Sequence, residues 1–444
     1  MTTADIPRLR RVRLADLTDA ERNELTSRAS TATPEVRDGA RAIVDAVRGG
    51  GDAELRRLNA RFGGGLAEPA EAPLLRLPAS RLREARDRLS PELRAGLERM
   101  ATNIERFHSI QVPPSEQWVE VEPGIDVGRA WRGLDRVAAY VPGGTAAYPS
   151  SLLMSAIPAR LAGVGQFVVA SPAAADGSLS DALLGAAGLM DVEEFLVMGG
   201  AQAIGALAYG TESIGRVDKI VGPGNAWVTA AKLEVMGSCA IDLPAGPTEV
   251  MVVADDSADP AHVAADLLSQ AEHGPDSPSL LVTLTEAFAD AVEGEIRRQL
   301  PLLPRQDALK GSLASAGTIV FAEDIEGALD FADDYASEHL SVIVADDDAA
   351  YRRLRHAGSL FLGAYAPESA GDYATGSNHV LPTSGNAKAY SALSVESFGR
   401  WMQVQRVTRD GLAAITPAVA AVAEAEGLSA HRRAVEIRFE GETP

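Results

Sequence analysis

At 444 residues the chain exceeds one ordinary hydrophobic core, and its 46% hydrophobic content is enough to fill about two to four domains. A formal net charge of −21 argues against nucleic acid or an anionic membrane surface as partner, because both repel so acidic a protein. One cysteine, Cys239, excludes an internal disulfide and a Cys-built zinc cage; with no apolar signal core near Met1 and no apolar run of bilayer length, a cytoplasmic, small-molecule role is expected.

Residues 1 to about 130 are rich in Arg, Glu, Leu and Ala, punctuated by Pro34, Pro91 and Asn103, and predict mostly helices. From Arg136 short apolar runs alternate with helical stretches. Strands are expected at 137–141, 167–171, 195–198, 219–221 and 239–243, then at 250–254, 280–285, 318–322, 340–345 and 359–362. Strands separated by helices imply βαβ units, hence two α/β domains with parallel sheets. Residues 364–395 carry Gly, Pro, Ser and Tyr without periodicity, and loops of that length usually serve function. The tail from Val407 reads as helix through Ala430, and the alternation at 434–439 reads as an edge strand.

Leu268-Ser269-Gln270-Ala271-Glu272-His273-Gly274 sets an amide and an imidazole three residues apart before a glycine stop. That spacing puts Gln270 and His273 on one face at the end of a helix. Two neutral ligands do not hold a metal alone; Asp372 and His431 would complete a mixed zinc site with room for substrate. Glu338-His339 reads in two ways: as a polar helix-to-strand turn, or as an acid/base pair in which His339 titrates near neutral pH and Glu338 orients or deprotonates water. His379 has an amide neighbour in Asn378, whereas His108, His262 and His356 lack such companions and read as structural.

Three glycine-rich turns follow expected strands: Tyr140-Val141-Pro142-Gly143-Gly144-Thr145, Gly199-Gly200-Ala201-Gln202 and Val221-Gly222-Pro223-Gly224-Asn225. Such turns bring backbone N–H groups against a pyrophosphate at a helix N-terminus. None is a G-x-G-x-x-G fingerprint, and Gly163-Val164-Gly165 lacks its third glycine at Val168. Cys239 reads as a buried strand residue and not as a nucleophile toward an aldehyde.

Together these segments resemble the histidinol dehydrogenase family. The resemblance rests on Y-V-P-G-G-T-A-A-Y-P-S-S at 140–151, G-G-A-Q-A-I at 199–204, V-D-K-I-V-G-P-G-N at 217–225 and A-G-P-T-E-V at 245–250. It continues in D-L-L-S-Q-A-E-H at 266–273, S-E-H-L at 337–340, G-D-Y-A-T-G-S-N-H-V-L-P-T at 371–383 and L-S-A-H at 428–431. Thr248 stands where serine is usual and Ser337 where proline is usual, and neither change removes a candidate ligand.

The resemblance implies zinc, one ion per subunit, held by Gln270, His273, Asp372 and His431, and catalysis by Glu338 and His339. It implies NAD at Tyr140, Gln202 and Asn225. L-histidinol would contact Thr248, His379 and Glu426 as well as Gln270, His273, His339, Asp372 and His431. The implied reaction is a four-electron oxidation of L-histidinol to L-histidine through L-histidinal, ending histidine biosynthesis. The implied fold is α/β, with two incomplete Rossmann-like domains, a helical N-terminal segment and a small C-terminal tail, in an intertwined homodimer. The corresponding segments are 1–33, then 34–139 plus 247–393 with the zinc ligands and catalytic pair, 140–246 for NAD, and 394–444 as a tail that places Glu426 and His431 in the partner's site. The alternatives are a related dehydrogenase of another polar alcohol, a zinc hydrolase with Glu338 as base, and a structural zinc protein; the glycine turns disfavour the hydrolase and the open N/O ligand set disfavours the structural role.

Overall fold

The computed structural model describes residues 6–26, 28, 33–63, 76–143, 148–174, 176–243 and 246–440. Its strands, in chain order, are β1 (Arg10–Arg13), β2 (Arg76–Leu77), β3 (Glu116–Glu122), β4 (Ile125–Gly133), β5 (Arg136–Tyr140), β6 (Gln166–Ser171), β7 (Glu194–Val197) and β8 (Lys219–Val221). They continue with β9 (Ala240–Ile241), β10 (Val250–Ala254), β11 (Ser279–Thr283), β12 (Gly317–Phe321), β13 (His339–Ile343), β14 (Ser359–Leu362) and β15 (Gly399–Val407). By packing, residues 1–111 with 134–398 form a large unit, and residues 112–133 with 399–444 a small one.

Two six-stranded sheets make up the large unit's framework among the described residues. The first runs β1-β12-β11-β10-β13-β14, and all its neighbours are parallel. Its central strand, Val250-Met251-Val252-Val253-Ala254, is buried along its whole length, as a parallel strand covered on both faces must be. Alternation then sorts its side chains: Val250, Val252 and Ala254 pack with helices Pro260–Ala271 and Glu286–Gln299, while Met251 and Val253 face helix Ile325–Tyr335.

The second sheet runs β2-β7-β6-β5-β8-β9, parallel except for the antiparallel β2–β7 edge. Helices Pro34–Phe62, Gly200–Tyr209 and Ala226–Val235 bury one face of it, through Ala40, Val44, Val47, Ile204 and Val228 against Ala138, Val168 and Leu196. The chain winds outward from β5 through β6 to β7, then returns to β8 on the other side of β5. A crevice therefore opens between the C-terminal ends of β5 and β8, where ligands of such sheets bind.

The small unit holds a third, antiparallel sheet, β15-β4-β3, and the helices Arg409–Ala425 and Ser429–Glu436.

The structure corrects two sequence expectations. The N-terminal region is not only helical: Arg10-Arg11-Val12-Arg13 adds a parallel edge to β12, and Glu116–Glu122 pairs with β4. Both are exposed edge strands: the first is almost all arginine, which hides the apolar signal that marks a strand, and the second mixes Trp118, Val119 and Val121 with Glu and Gln. The tail has no edge strand at 434–439 either, because Ala434 to Glu436 close helix Ser429–Glu436 and Ile437–Phe439 form one tighter helical turn. In six residues, alternation of apolar and polar side chains also fits a helical face. No helix among the described residues is long and apolar enough to cross a membrane.

Candidate functional site

A cavity of about 490 Å³ opens between the two sheets of the large unit. One wall is the second sheet's crevice, with Pro142 after β5 and Gly222, Pro223, Gly224 and Asn225 after β8. The other is the entry edge of the first sheet: Thr248 precedes β10, Ser277 precedes β11, and His339 opens β13. Helix Pro260–Ala271 runs back to this same edge and delivers Gln270 and His273 at its C-terminal end, where the partial negative charge of the helix favours a cation.

Glu338 and His339 are both buried, at 5% and 3% exposure, so the helix-to-strand turn is no solvated corner. The backbone carbonyl of Glu249 lies 3.1 Å from Nδ1 of His339 and can only accept, so Nδ1 carries the proton in the neutral ring and Nε2 is left as the basic nitrogen. Nε2 has no hydrogen-bond partner among the described residues and borders the cavity. Burial pulls the His339 pKa down, but the charges of Glu368, Glu338 and Asp372 outweigh it and hold the imidazole up to about 10. Burial pushes Glu338 up to about 7, against the opposing pull of His339, the Thr248 hydroxyl and the Glu249 N–H.

Asp372 comes from the short helix Glu368–Tyr373, and its Oδ1 lies 3.7 Å from Nε2 of His339. Although burial disfavours its charge, the neighbouring His339 imidazole, then His379 and His273, hold its pKa below the ordinary value. Burial lowers both His273 and His379, keeping neutral imidazoles available. His379 is fixed between the Ser151 hydroxyl, 2.9 Å from Nε2, and the Asp372 carbonyl, 3.3 Å from Nδ1. Gln270 is fully buried, and neither its Oε1 nor its Nε2 has a partner among the described residues. A buried amide left unpaired is costly. Orphaned amide oxygen, neutral imidazole and ionised carboxylate form a donor set that suits a borderline cation such as zinc.

Sequence reasoning missed Glu368. It is 2% exposed, has one carboxylate oxygen without a partner among the described residues, and lies 3.5 Å from Nδ1 of His339. The donor atoms of His339, Glu368 and Asp372 all fall within 4.8 Å of one another. Burial first, and then the neighbouring charges of Asp372 and Glu338 against that of His339, raise Glu368 to about 8. A single Glu inside Pro367-Glu368-Ser369-Ala370-Gly371 carries no local signal of this.

Of the residues expected at NAD, Asn225 lines the cavity, and its Oδ1 caps helix Ala226–Val235 by accepting from Trp227 and Val228 N–H. Tyr140 and Gln202 sit behind that wall: the Tyr140 hydroxyl accepts from Gly200 N–H at 3.3 Å, and buried Gln202 donates to Asn59 at 3.1 Å. Gly222 has φ +107°, and a Cβ there would stand 2.1 Å from the Tyr140 carbonyl oxygen, so only glycine fits. Lys232 and Asp242 form a buried ion pair that also holds this turn, through the Gly222 carbonyl and N–H. Residues 144–147 of the first glycine turn lie outside the described residues.

The histidinol dehydrogenase family profile matches residues 26–439. The chain belongs to the histidinol dehydrogenase family. It is therefore an enzyme, an oxidoreductase acting on a small molecule. A histidinol dehydrogenase of Methanosarcina barkeri is 42% identical over 96% of this chain and 97% of its own length, and one of Methanothermobacter thermautotrophicus is 44% identical over 94% and 96%. The crystal structure of histidinol dehydrogenase from Elizabethkingia anophelis superposes with a TM-score of 0.90 at 35% identity, covering 97% of this chain and 98% of that one.

Within this histidinol dehydrogenase fold, Glu426 and His431 belong to the small unit, where both are exposed: Glu426 ends helix Arg409–Ala425 and His431 lies in helix Ser429–Glu436. Cys239 is buried with its thiol pushed up to about 12 by burial, which removes it as a nucleophile. His108 is fully buried against the Ile104 carbonyl, a structural role.

Proposed function

We propose that this chain oxidises L-histidinol to L-histidine through L-histidinal, using zinc and NAD, as a homodimer in the cytoplasm. The observation that carries the reading is one cavity bordered by the buried pair Glu338 and His339, by His273 and Asp372, and by the Gly222–Asn225 turn. Residues 140–246 would supply the NAD-binding part, through Asn225 directly and Tyr140 and Gln202 behind it. Gln270, His273 and Asp372, with the partner subunit's His431, would hold the zinc. His379, Thr248 and the partner subunit's Glu426 would grip the substrate.

When bound, zinc supplies positive charge beside Asp372 and an affinity for the substrate's nitrogen atoms, and NAD supplies the acceptor for two hydrides. A cation held by Asp372 would offset that carboxylate's hold on the His339 proton. The imidazole then presents a neutral Nε2, its Nδ1–H held by the Glu249 carbonyl, and takes the hydroxyl proton of histidinol as hydride departs. Glu338, ionised above about pH 7, takes a proton from the water that adds to the retained aldehyde, while His339 returns its proton to the aldehyde oxygen, which leaves a neutral hydrate and a neutral imidazole. The hydrate gives its proton to His339 as the second hydride leaves. Enclosure of the pair keeps the aldehyde from bulk water between the two steps.

The reading is tested by incubating the protein with L-histidinol and NAD and counting NADH per histidine. Two NADH per histidine, abolished by a chelator, are expected; no NADH with histidinol would sink the proposal in favour of another polar alcohol.

A further inference from the structure

Behind the catalytic pair lies a buried ionic hub that the reaction as written does not use. Glu249 is 1% exposed and precedes β10. Its carboxylate accepts from the N–H of Glu338 at 3.3 Å and of Ser384 at 3.1 Å, and from Arg28 Nη2 at 3.0 Å. Arg28 Nε is 2.6 Å from the other carboxylate oxygen, which also accepts the Tyr335 hydroxyl at 3.4 Å. The guanidinium stacks on the Tyr335 ring, 3.4 Å from its centre, and donates to the Tyr335 carbonyl at 2.8 Å. The backbone of Glu249 grips the same pair from the other side: its N–H donates to Glu338 Oε2 at 2.9 Å, and its carbonyl accepts from His339 N at 3.2 Å and Nδ1 at 3.1 Å.

Each of these contacts of the Glu249 backbone ends on an atom that sets how Glu338 or His339 presents itself to the cavity. A buried ion pair is weak evidence of stabilisation in itself, since two charges lose their hydration and apolar replacements are often as stable. Its directional value is larger: four hydrogen-bond donors and the close approach of Arg28 Nε meet one carboxylate, so the segment before β10 has one position and one orientation.

We propose that Glu249, anchored by Arg28 and Tyr335, is the positioning residue of the Glu338–His339 pair. It fixes the tautomer of His339 through its carbonyl, and it fixes the direction of the Glu338 carboxylate through its N–H and its side chain. Through Arg28 the N-terminal segment thereby takes part in holding the catalytic geometry. The proposal rests on the assignment of Glu338 and His339 as the reacting groups.

The experiment compares full-length Glu249→Gln, Arg28→Lys and Arg28→Ala with the parent and with His339→Ala. It measures kcat and KM for histidinol and histidinal at saturating NAD, zinc content, and folding by circular dichroism. A displacement of about 1 Å in a reacting group costs on the order of a hundredfold, so Glu249→Gln is expected to lower kcat roughly ten- to hundredfold for both substrates. KM should stay within about threefold and zinc content should not change. Arg28→Lys, which keeps the charge but loses the fork, should retain more kcat than Arg28→Ala. A folded Glu249→Gln protein with parental kcat beside an inactive His339→Ala overturns the proposal, as does a loss confined to KM or zinc. If Glu249→Gln does not fold, parental kcat in both folded Arg28 variants overturns it. Parental activity in His339→Ala would remove the underlying assignment, and the positioning role with it.

Discussion

Nε2 of His339 lies 3.7 Å from Oδ1 of Asp372, so the candidate base and a candidate metal ligand share one electrostatic environment. The same imidazole faces Glu368 at 3.5 Å and Glu338 at 3.6 Å on its Nδ1 side. Its basicity is thus set by the charge balance among three carboxylates, and a cation at Asp372 changes that balance.

The division of labour between neighbours separates two variants. His339→Ala should lose both half-reactions, each by about 10²–10⁴-fold, the usual worth of a positioned acid or base. Glu338→Gln should oxidise histidinol to the aldehyde stage at a near-parental rate and stall on histidinal. Single-turnover NADH formation from each substrate checks this; equal losses in both steps would contradict the assignment.

Acid pH should slow the aldehyde step selectively. Glu338 must be ionised to take a proton from water, and burial raises it to about 7, so its active form grows as pH rises through that value and vanishes below it. The kcat profile for histidinal should therefore fall on the acid side with an inflection near 7, and Glu338→Gln should flatten that limb. An inflection unchanged in the variant would assign it to another group.

Metal removal should raise KM for histidinol and histidinal together with loss of turnover, because the ion is proposed to hold the substrate's nitrogen atoms. Restoring zinc should restore both. Chelated protein, shown by elemental analysis to be metal-free, that oxidised histidinal with parental rate and KM would refute this role.

Activity should reappear when two inactive subunits are combined, if the tail works across a dimer. His339→Ala and His431→Ala are each expected to be inactive alone, and a heterodimer would contain one site with both residues intact. Assay of purified heterodimers carrying two different tags checks it. No recovery there would place His431 in its own chain's site.

Much of the framework was legible because parallel strands buried on both faces leave near-continuous apolar runs. Val250–Ala254 is read from such a run, and so is Gly317–Phe321. Exposed edges left no such run: Arg10–Arg13 is almost all arginine, and Glu116–Glu122 breaks its apolar residues with Glu and Gln. Nor does the periodicity of Pro34–Phe62 say which sheet that helix covers, since an apolar stripe records burial and not the partner. At the site, Gln270, His273 and Glu338-His339 stood out through local spacing. Glu249 and Glu368 did not, because their meaning lies in distances to residues about 90 and 30 positions away in sequence.

As a proposed ligand, Gln270 would give the protein a built-in indicator of occupancy. Two amide atoms buried without partners among the described residues carry a solvation cost that an ion at Oε1, as proposed, would relieve. A cation present at about a hundred times its dissociation constant adds about 2.7 kcal/mol to a fold that alone can bind it. A melting curve recorded against metal concentration therefore reads the affinity of the site directly, with neither substrate nor turnover, and ranks competing cations on one scale.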